Sequence, residues 1–183
     1  LFSLLLILCG YSILRYRNWE EEFESSIKQE YLINREDLQD ISLEEKLAQF
    51  VISDSDTEFL ELGVREFGSI IFTVLDSYIE EALLKGIYIV PEDSRWEIYA
   101  QIEYKGVELW FGIDLNKDDI QTAQLYTNEL YIGPFGLHSY TDWEESINRG
   151  IADAIVTLNE NGFVGRYIEN IELLDNGIVL KGY

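Results

Sequence analysis

The chain has 183 residues, the usual length of a single domain, and 47% of them are hydrophobic and 14% aromatic. This composition is typical of a folded protein and argues against a disordered one. The 35 acidic residues outnumber the 13 basic ones and give a net charge of −22. Because nucleic acids and anionic lipid headgroups are bound through Lys and Arg, the charge argues against a nucleic-acid partner. It suits solubility, cations or a basic protein partner.

The first segment of the chain is apolar. Residues 1–14 carry no charge, and we expect them to belong to a membrane helix, although a complete span needs about 20 apolar residues. Since the chain starts at Leu1 and contains no methionine, we expect further residues before it. The main interpretation is an uncleaved signal anchor over residues 1–17. A cleavable signal peptide and a lipoprotein signal ending at Cys9, the only cysteine, are the alternatives.

Two arguments bear on the side of the membrane that the domain occupies. Arg15 and Arg17 follow the apolar run, and positive charge usually stays in the cytosol. A large acidic domain after a single span more often faces outward. We therefore expect a single-pass protein of the cell membrane with an extracytoplasmic domain.

Residues 18–55 are expected to form an acidic stalk and a short helix. Apolar residues recur every four positions from Phe23 to Tyr31, which favours a helix that continues from the membrane. Ser42 opens a capping-box pattern, which predicts a short helix that reaches Phe50.

Residues 56–183 are expected to form a soluble domain with two main helices. Apolar residues recur with helical spacing over residues 64–85, and Gly86 is a suitable residue to end that helix. A second amphipathic helix begins at a capping box that Thr141 opens.

The strands are predicted from two-residue alternation and from turn signals. Residues 96–104 and 107–115 alternate around a two-residue turn, which predicts a hairpin. A short strand is expected over residues 58–62, a third meander strand over residues 120–132 and a closing hairpin over residues 167–180. Because tight turns join the strands, the predicted class is α+β, with an N-terminal membrane helix and a curved antiparallel meander sheet packed on two main helices. A cystatin-like or nuclear-transport-factor-like sheet with a wrapped helix is the alternative.

The sequence contains no recognisable catalytic or metal-binding motif. His138 is the only histidine, and without a nearby cysteine it cannot anchor a zinc site of the usual kind. The acidic run from Asp114 to Asp119 begins like a calcium loop but lacks the turn glycine and the distal glutamate, so a β-turn is favoured. We therefore predict no enzymatic activity, no cofactor and no metal. A carboxylate-based hydrolase, which needs two converging buried acids, is the least favoured alternative.

Aromatic residues on the predicted hairpin point to both of its faces. Alternation places Trp96 and Phe111 on one face and Tyr99 and Trp110 on the other. Either both faces are covered by packed elements, or the sheet curls around an apolar ligand. In the second case, five residues would line the groove between the long helix and the strands: Phe67, Ile71, Trp96, Ile98 and Phe111.

Three features between about Phe59 and the end of the chain carry a family resemblance. They are the helix over residues 64–85 with its following meander, the strand end Leu130-Tyr131-Ile132-Gly133-Pro134-Phe135, and the closing hairpin over residues 171–181. In this order they resemble the YpmS-like family of single-span bacterial envelope proteins and, more distantly, the tubular lipid-binding domains. The resemblance implies a membrane-linked role in binding an apolar ligand and supplies no catalytic residues. The acidic stalk departs from the family pattern.

These observations lead to one expected function and one principal alternative. We expect a membrane-anchored, non-enzymatic, extracytoplasmic binding or accessory domain, whose ligand would be a lipid or another apolar molecule. The alternative is a scaffold subunit of a cell-envelope complex, which would assemble through its acidic surface and its N-terminal helix.

Overall fold

The computed structural model describes residues 2–117, 123–137, 141–157 and 167–183. Within these ranges the helices are α1 (Phe2–Ser26), α2 (Glu44–Ile52), α3 (Val64–Tyr78) and α4 (Thr141–Thr157). The strands are β1 (Leu32–Asn34), β2 (Glu58–Gly63), β3 (Leu83–Glu92), β4 (Arg95–Tyr104), β5 (Val107–Asn116), β6 (Leu130–Ile132), β7 (Phe135–Gly136), β8 (Ile168–Leu173) and β9 (Gly177–Gly182). Short 3₁₀ helices at Gln29–Tyr31 and Arg35–Gln39 flank β1.

The strands form two antiparallel sheets. One sheet has six strands in the order β1-β3-β4-β5-β6-β7, and the other has three in the order β2-β9-β8. The predicted α+β class with antiparallel pairing is confirmed. The single meander sheet is corrected, because the closing hairpin leaves the meander and pairs instead with β2.

The predicted hairpin of β4 and β5 is confirmed. The two strands pair without a break from Arg95 opposite Asn116 to Tyr104 opposite Val107. The turn residues Lys105 and Gly106 have φ angles of 52° and 80°. Two successive positive φ angles are typical of the turn whose twist matches the twist of the paired strands.

The long helix predicted over residues 64–85 is too long. Helix α3 ends at Tyr78, and the chain then enters β3, which lies between β1 and β4. Both faces of β3 are covered, with Ile87 and Ile89 fully buried on one face and Tyr88 buried on the other. A strand buried on both faces has no alternation of apolar and polar residues, so the sequence pattern did not reveal it.

Gly86 does not end a helix, in contrast to the prediction. It lies within β3, opposite Gln101 and beside an irregularity in the pairing of β3 with β4. A Cβ atom at this position would lie 2.9 Å from the Asn34 side chain of β1. The absence of a side chain at Gly86 therefore allows β1 and β3 to lie close together.

Residues 18–55 lie against the folded domain and do not form a separate stalk. Strand β1 pairs with the edge of β3, and its Ile33 is fully buried. Phe50 of α2 is also buried in the core. Helix α2 starts at Glu44 after Leu43, so the capping box predicted at Ser42 is not formed. Burial of these apolar side chains holds the segment on the domain.

The third meander strand is much shorter than residues 120–132. Only Leu130–Ile132 forms β6, and residues 123–129 approach β5 as irregular chain with one bridge from Asn116 to Tyr126. Residues 118–122 lie outside the described part. The predicted strand over residues 58–62 and the closing hairpin are both observed, as β2 and as β8 with β9.

The core lies between α3, one face of the six-stranded sheet and the three-stranded sheet. Phe72 of α3 and Trp96 of β4 are both fully buried there. The helix approaches β1 so closely that a Cβ atom at Gly68 would lie 2.5 Å from the Cδ1 atom of Ile33. A side chain at residue 68 would therefore force the Ile33 side chain to shift within the packed core.

Candidate functional site

The five residues predicted to line an apolar groove lie on the core side of the six-stranded sheet or on α3. Trp96 and Ile98 are buried, and Phe67 and Ile71 pack against the same core. The Phe67 ring meets the Trp96 indole edge-on, with centroids 5.4 Å apart. The indole N–H of Trp96 donates to the Leu174 carbonyl at 2.8 Å. The described contacts of these residues are therefore those of a packed core.

Phe111, the fifth predicted residue, lies opposite Ala100 and is half-buried. Two surface pockets are lined by residues other than the five predicted ones. One lies between α2 and β2 around Phe50 and Phe59, and the other lies between α3 and the chain around Leu38. Neither pocket contains any of the five predicted residues.

The opposite face of the six-stranded sheet is covered by the second half of α1. Phe23 lies at the centre of this contact, with its ring centroid 4.7 Å from Tyr99, 5.1 Å from Trp110 and 5.7 Å from Tyr88. Trp19 stacks on Phe23 at 4.6 Å. Both faces of the sheet are thus covered, which is the first of the two interpretations of its aromatic residues.

Hydrogen bonds hold the same half of α1 to the sheet. The backbone N–H of Trp110 donates to the Tyr16 hydroxyl at 2.8 Å, and its indole N–H donates to Glu24 at 3.3 Å. Farther along, the backbone N–H of Lys28 donates to the Tyr88 hydroxyl at 3.4 Å. These bonds fix the register of the helix on the sheet.

Gly133 allows the helix to approach the turn between β6 and β7. Its φ angle is 53°, and a Cβ atom there would overlap the Tyr16 ring. The guanidinium of Arg15 lies over the Phe135 ring, 5.2 Å from its centroid. The contacts of α1 thus begin at the β6–β7 turn and end at β3, so that the helix crosses the strands one after another.

Residues 7–14 of α1 precede these contacts, and their large apolar side chains are exposed. Between residues 7 and 14 the exposed fractions are 57–68% for the following side chains: Ile7, Leu8, Tyr11, Ile13 and Leu14. We call residues 7–14 the apolar arm. Isolated apolar residues are common on protein surfaces, but a contiguous apolar helix without a covering element marks an interaction site.

The charges around α1 change sign along the helix. Arg15 and Arg17 follow directly after the apolar arm and are exposed, whereas the next turns are acidic. Burial and the nearby carboxylates of Glu24 and Glu108 raise the pKa of Glu20 above its ordinary value. The helix therefore docks on the sheet against some electrostatic repulsion.

Asp114 is the one carboxylate described as buried, and it organises the chain between β5 and β6. One of its oxygens accepts hydrogen bonds from the Thr127 hydroxyl and from the backbone N–H groups of Asn128 and Glu129, at 2.8–3.1 Å. The other accepts from the Asn116 amide at 2.8 Å. Burial alone would raise the pKa of Asp114, but these hydrogen bonds outweigh it and hold the pKa below its ordinary value.

Helix α4 is tied to the same loop through Asn148. Its side-chain oxygen accepts from the Thr127 backbone N–H at 2.7 Å, and its amide donates to the Thr127 carbonyl at 2.9 Å. Thr127 is fully buried. The acidic run that resembled a calcium loop therefore begins with a carboxylate already used in folding, and Asp118 and Asp119 lie outside the described residues.

No group of three or more potential ligands could hold a metal ion among the residues with described positions. Burial and neighbouring carboxylates raise the pKa of Tyr99 and of Tyr131 above the ordinary value of tyrosine. Both phenols therefore stay protonated. His138 lies outside the described residues.

Comparisons with known proteins do not place the chain in a family. No family model, no curated protein and no solved structure matches it. The resemblance to YpmS-like proteins therefore stays a prediction. Among the described residues, no helix has both the length and the apolar character expected of a membrane span.

The docking of α1 is the main feature that sequence reasoning missed. The signal was present, because Tyr16, Trp19 and Phe23 share one face of a helix and because Tyr99 and Trp110 needed a cover. The sequence could not join the two observations, since hydrophobic periodicity identifies an apolar face without identifying its partner.

Proposed function

We propose that this protein is a membrane-attached, non-enzymatic binding or accessory domain that the apolar arm holds at a bilayer surface. The observation that carries the proposal is the division of α1 into two halves. The second half packs on the sheet through Phe23, while the apolar arm projects from the domain with its side chains exposed. One continuous helix therefore connects the folded domain with the bilayer or partner that surrounds the arm.

The residues at the junction favour a bilayer as the partner of the arm. Arg15, Tyr16, Arg17 and Trp19 follow the apolar residues directly. Arginine, tyrosine and tryptophan are enriched where a helix crosses from hydrocarbon to headgroups, because they combine an apolar body with a polar end. Residues 2–14 would extend about 20 Å, roughly two-thirds of the hydrocarbon thickness of a bilayer.

An internal lipid site has less support than membrane attachment. Four of the residues proposed to line it, Phe67, Ile71, Trp96 and Ile98, belong to the core or pack against it. The support for membrane attachment therefore comes from the apolar arm. A protein is the alternative partner of the domain.

Vesicle flotation tests the proposal with a matched pair of variants. Leu8→Asp with Ile13→Asp places two charges on the arm, and Tyr78→Asp with Val107→Asp places two charges on exposed apolar residues elsewhere. Vesicles of phosphatidylcholine avoid repulsion between the acidic domain and anionic lipids. We expect the chain and the second variant to float with the vesicles and the first variant to stay at the bottom.

Two results would contradict the proposal. If the unmodified chain did not float, the arm would not enter a bilayer. If instead the chain recovered from membranes carried a stoichiometric protein partner and lost it on charging the arm, the scaffold-subunit alternative would replace attachment to lipid.

The extracytoplasmic side is a separate part of the proposal. The support is the general tendency of large acidic domains to be exported after one span, against which stand Arg15 and Arg17. Protease added to intact bacterial spheroplasts should digest the domain. Digestion only after lysis would place the domain in the cytosol.

A further inference from the structure

The path of α1 across the six-stranded sheet determines which edge of the sheet lies nearest to the apolar arm. Contacts of the helix run from the β6–β7 turn to β3. At the turn, Tyr16 and Arg15 meet Gly133 and Phe135, and at β3 the ring of Phe23 meets Tyr88. The apolar arm precedes the first of these contacts. The arm therefore leaves the sheet at its β7 edge, and the β1 edge lies at the other end of the sheet.

We infer that the β7 edge, with the partly exposed residues Pro134 and Phe135 of its turn, is a second membrane-contacting surface that rests in the headgroup layer of the bilayer. This inference rests on the proposed function, because a bilayer around the apolar arm must begin within about one helical turn of Arg15. Phe135 lies under the Arg15 guanidinium. The turn and the end of the arm therefore occupy the same level above the membrane.

Charge supports the headgroup layer as the partner of this edge. The exposed cations Arg15 and Arg17 lie at the exit of the helix, where they can contact lipid phosphates, whereas Glu20 and the acids after it lie farther along the sheet. An aromatic ring and a proline at the turn suit the interface, which accepts an apolar body beside polar groups.

The width of the six-stranded sheet determines how far apart two probes can be placed. Five inter-strand spacings separate β7 from β1 in the six-stranded sheet. At the usual spacing between neighbouring strands, the two strands lie about 24 Å apart. A probe on the β7 edge should therefore lie at the headgroups, while a probe beside β1 should lie well outside the membrane. Gly136 of β7 and Glu36 after β1 are both exposed and suit a matched pair of probes.

The experiment uses the whole chain with Cys9→Ala, which removes the only native thiol. A cysteine is introduced by Gly136→Cys or Glu36→Cys and labelled with a fluorophore, and the chain is bound to phosphatidylcholine vesicles that contain a lipid with a nitroxide headgroup. We expect the label at position 136 to lose most of its fluorescence and the label at position 36 to keep it.

Failure of this inference can be separated from failure of the proposed function. Equal quenching at both positions, or stronger quenching at position 36, in a chain that floats with the vesicles would overturn the inference and leave attachment intact. Absence of flotation would overturn both. A second pair, Arg15→Ala and the matched Arg149→Ala on α4, checks the junction, since only the first should weaken quenching at position 136.

Discussion

At the scale of single residues, Asp114 has the most demanding environment among the described carboxylates. It is buried, and four hydrogen bonds from neighbouring groups keep it ionised. An acid with a lowered pKa contributes stability that is complete above its unfolded pKa and is lost as the pH falls through the folded value. The stability of the loop before β6 therefore depends on the negative charge of Asp114.

Replacing Asp114 by Asn should destabilise the domain by about 1–3 kcal/mol, because an amide cannot accept all of the same hydrogen bonds. The free energy of unfolding in urea measures the loss. The difference between the chain and the variant should shrink as the pH falls below about 4, where the carboxylate becomes protonated. Asp175→Asn on the exposed loop between β8 and β9 makes the same charge change and should leave stability nearly unaltered.

Glu20 should behave in the opposite sense. Its pKa is raised in the folded chain by burial and by Glu24 and Glu108, so its contribution to stability is present at low pH and is lost as the pH rises through the folded value. Glu20→Gln should therefore stabilise the chain at pH 7, by less than about 1 kcal/mol because solvent screens a partly exposed group. Urea unfolding at two pH values tests this, with exposed Glu22→Gln as the control. An equal gain at pH 4 would refute the explanation.

At the scale of elements, α1 is one helix with two different tasks. Its second half stabilises the sheet, and the apolar arm leaves its side chains exposed. Phe23→Ala should lower the free energy of unfolding in solution by about 1.5–3 kcal/mol, the usual range for burying a large apolar side chain. Tyr11→Ala in the arm removes a ring of similar size and should change stability little. Equal effects of the two changes would show that the arm also packs on the domain.

Local signals predicted the elements that neighbouring residues determine. The turn at Lys105 and Gly106 marks its hairpin, and helical spacing marks α4 and the whole of α3, although it extends the latter beyond Tyr78. The sequence did not reveal β3, whose burial on both faces removes alternation, or the pairing of β2 with β9, which depends on residues more than a hundred positions apart. The candidate site was missed for the same reason, since the partner of Phe23 lies far along the chain.

At the scale of the whole molecule, charge and apolar surface are separated. The apolar arm carries no charge, whereas the chain as a whole has a net charge of −22. Binding to phosphatidylcholine vesicles should therefore be insensitive to salt, because burial of apolar side chains drives it. Binding to anionic vesicles should be weaker and should improve with salt, which screens repulsion. Flotation across a salt series distinguishes this pattern from electrostatic attachment, which salt would weaken.

Hydrogen exchange along α1 tests the central claim most directly. Amides of residues 16–24 should be protected in solution and with phosphatidylcholine vesicles, because this half is packed on the sheet in both cases. Amides of residues 7–14 should exchange rapidly in solution, where the helix frays, and become protected only when vesicles are added. Protection of residues 7–14 without vesicles, or rapid exchange of residues 16–24, would contradict a helix that is half domain and half membrane arm.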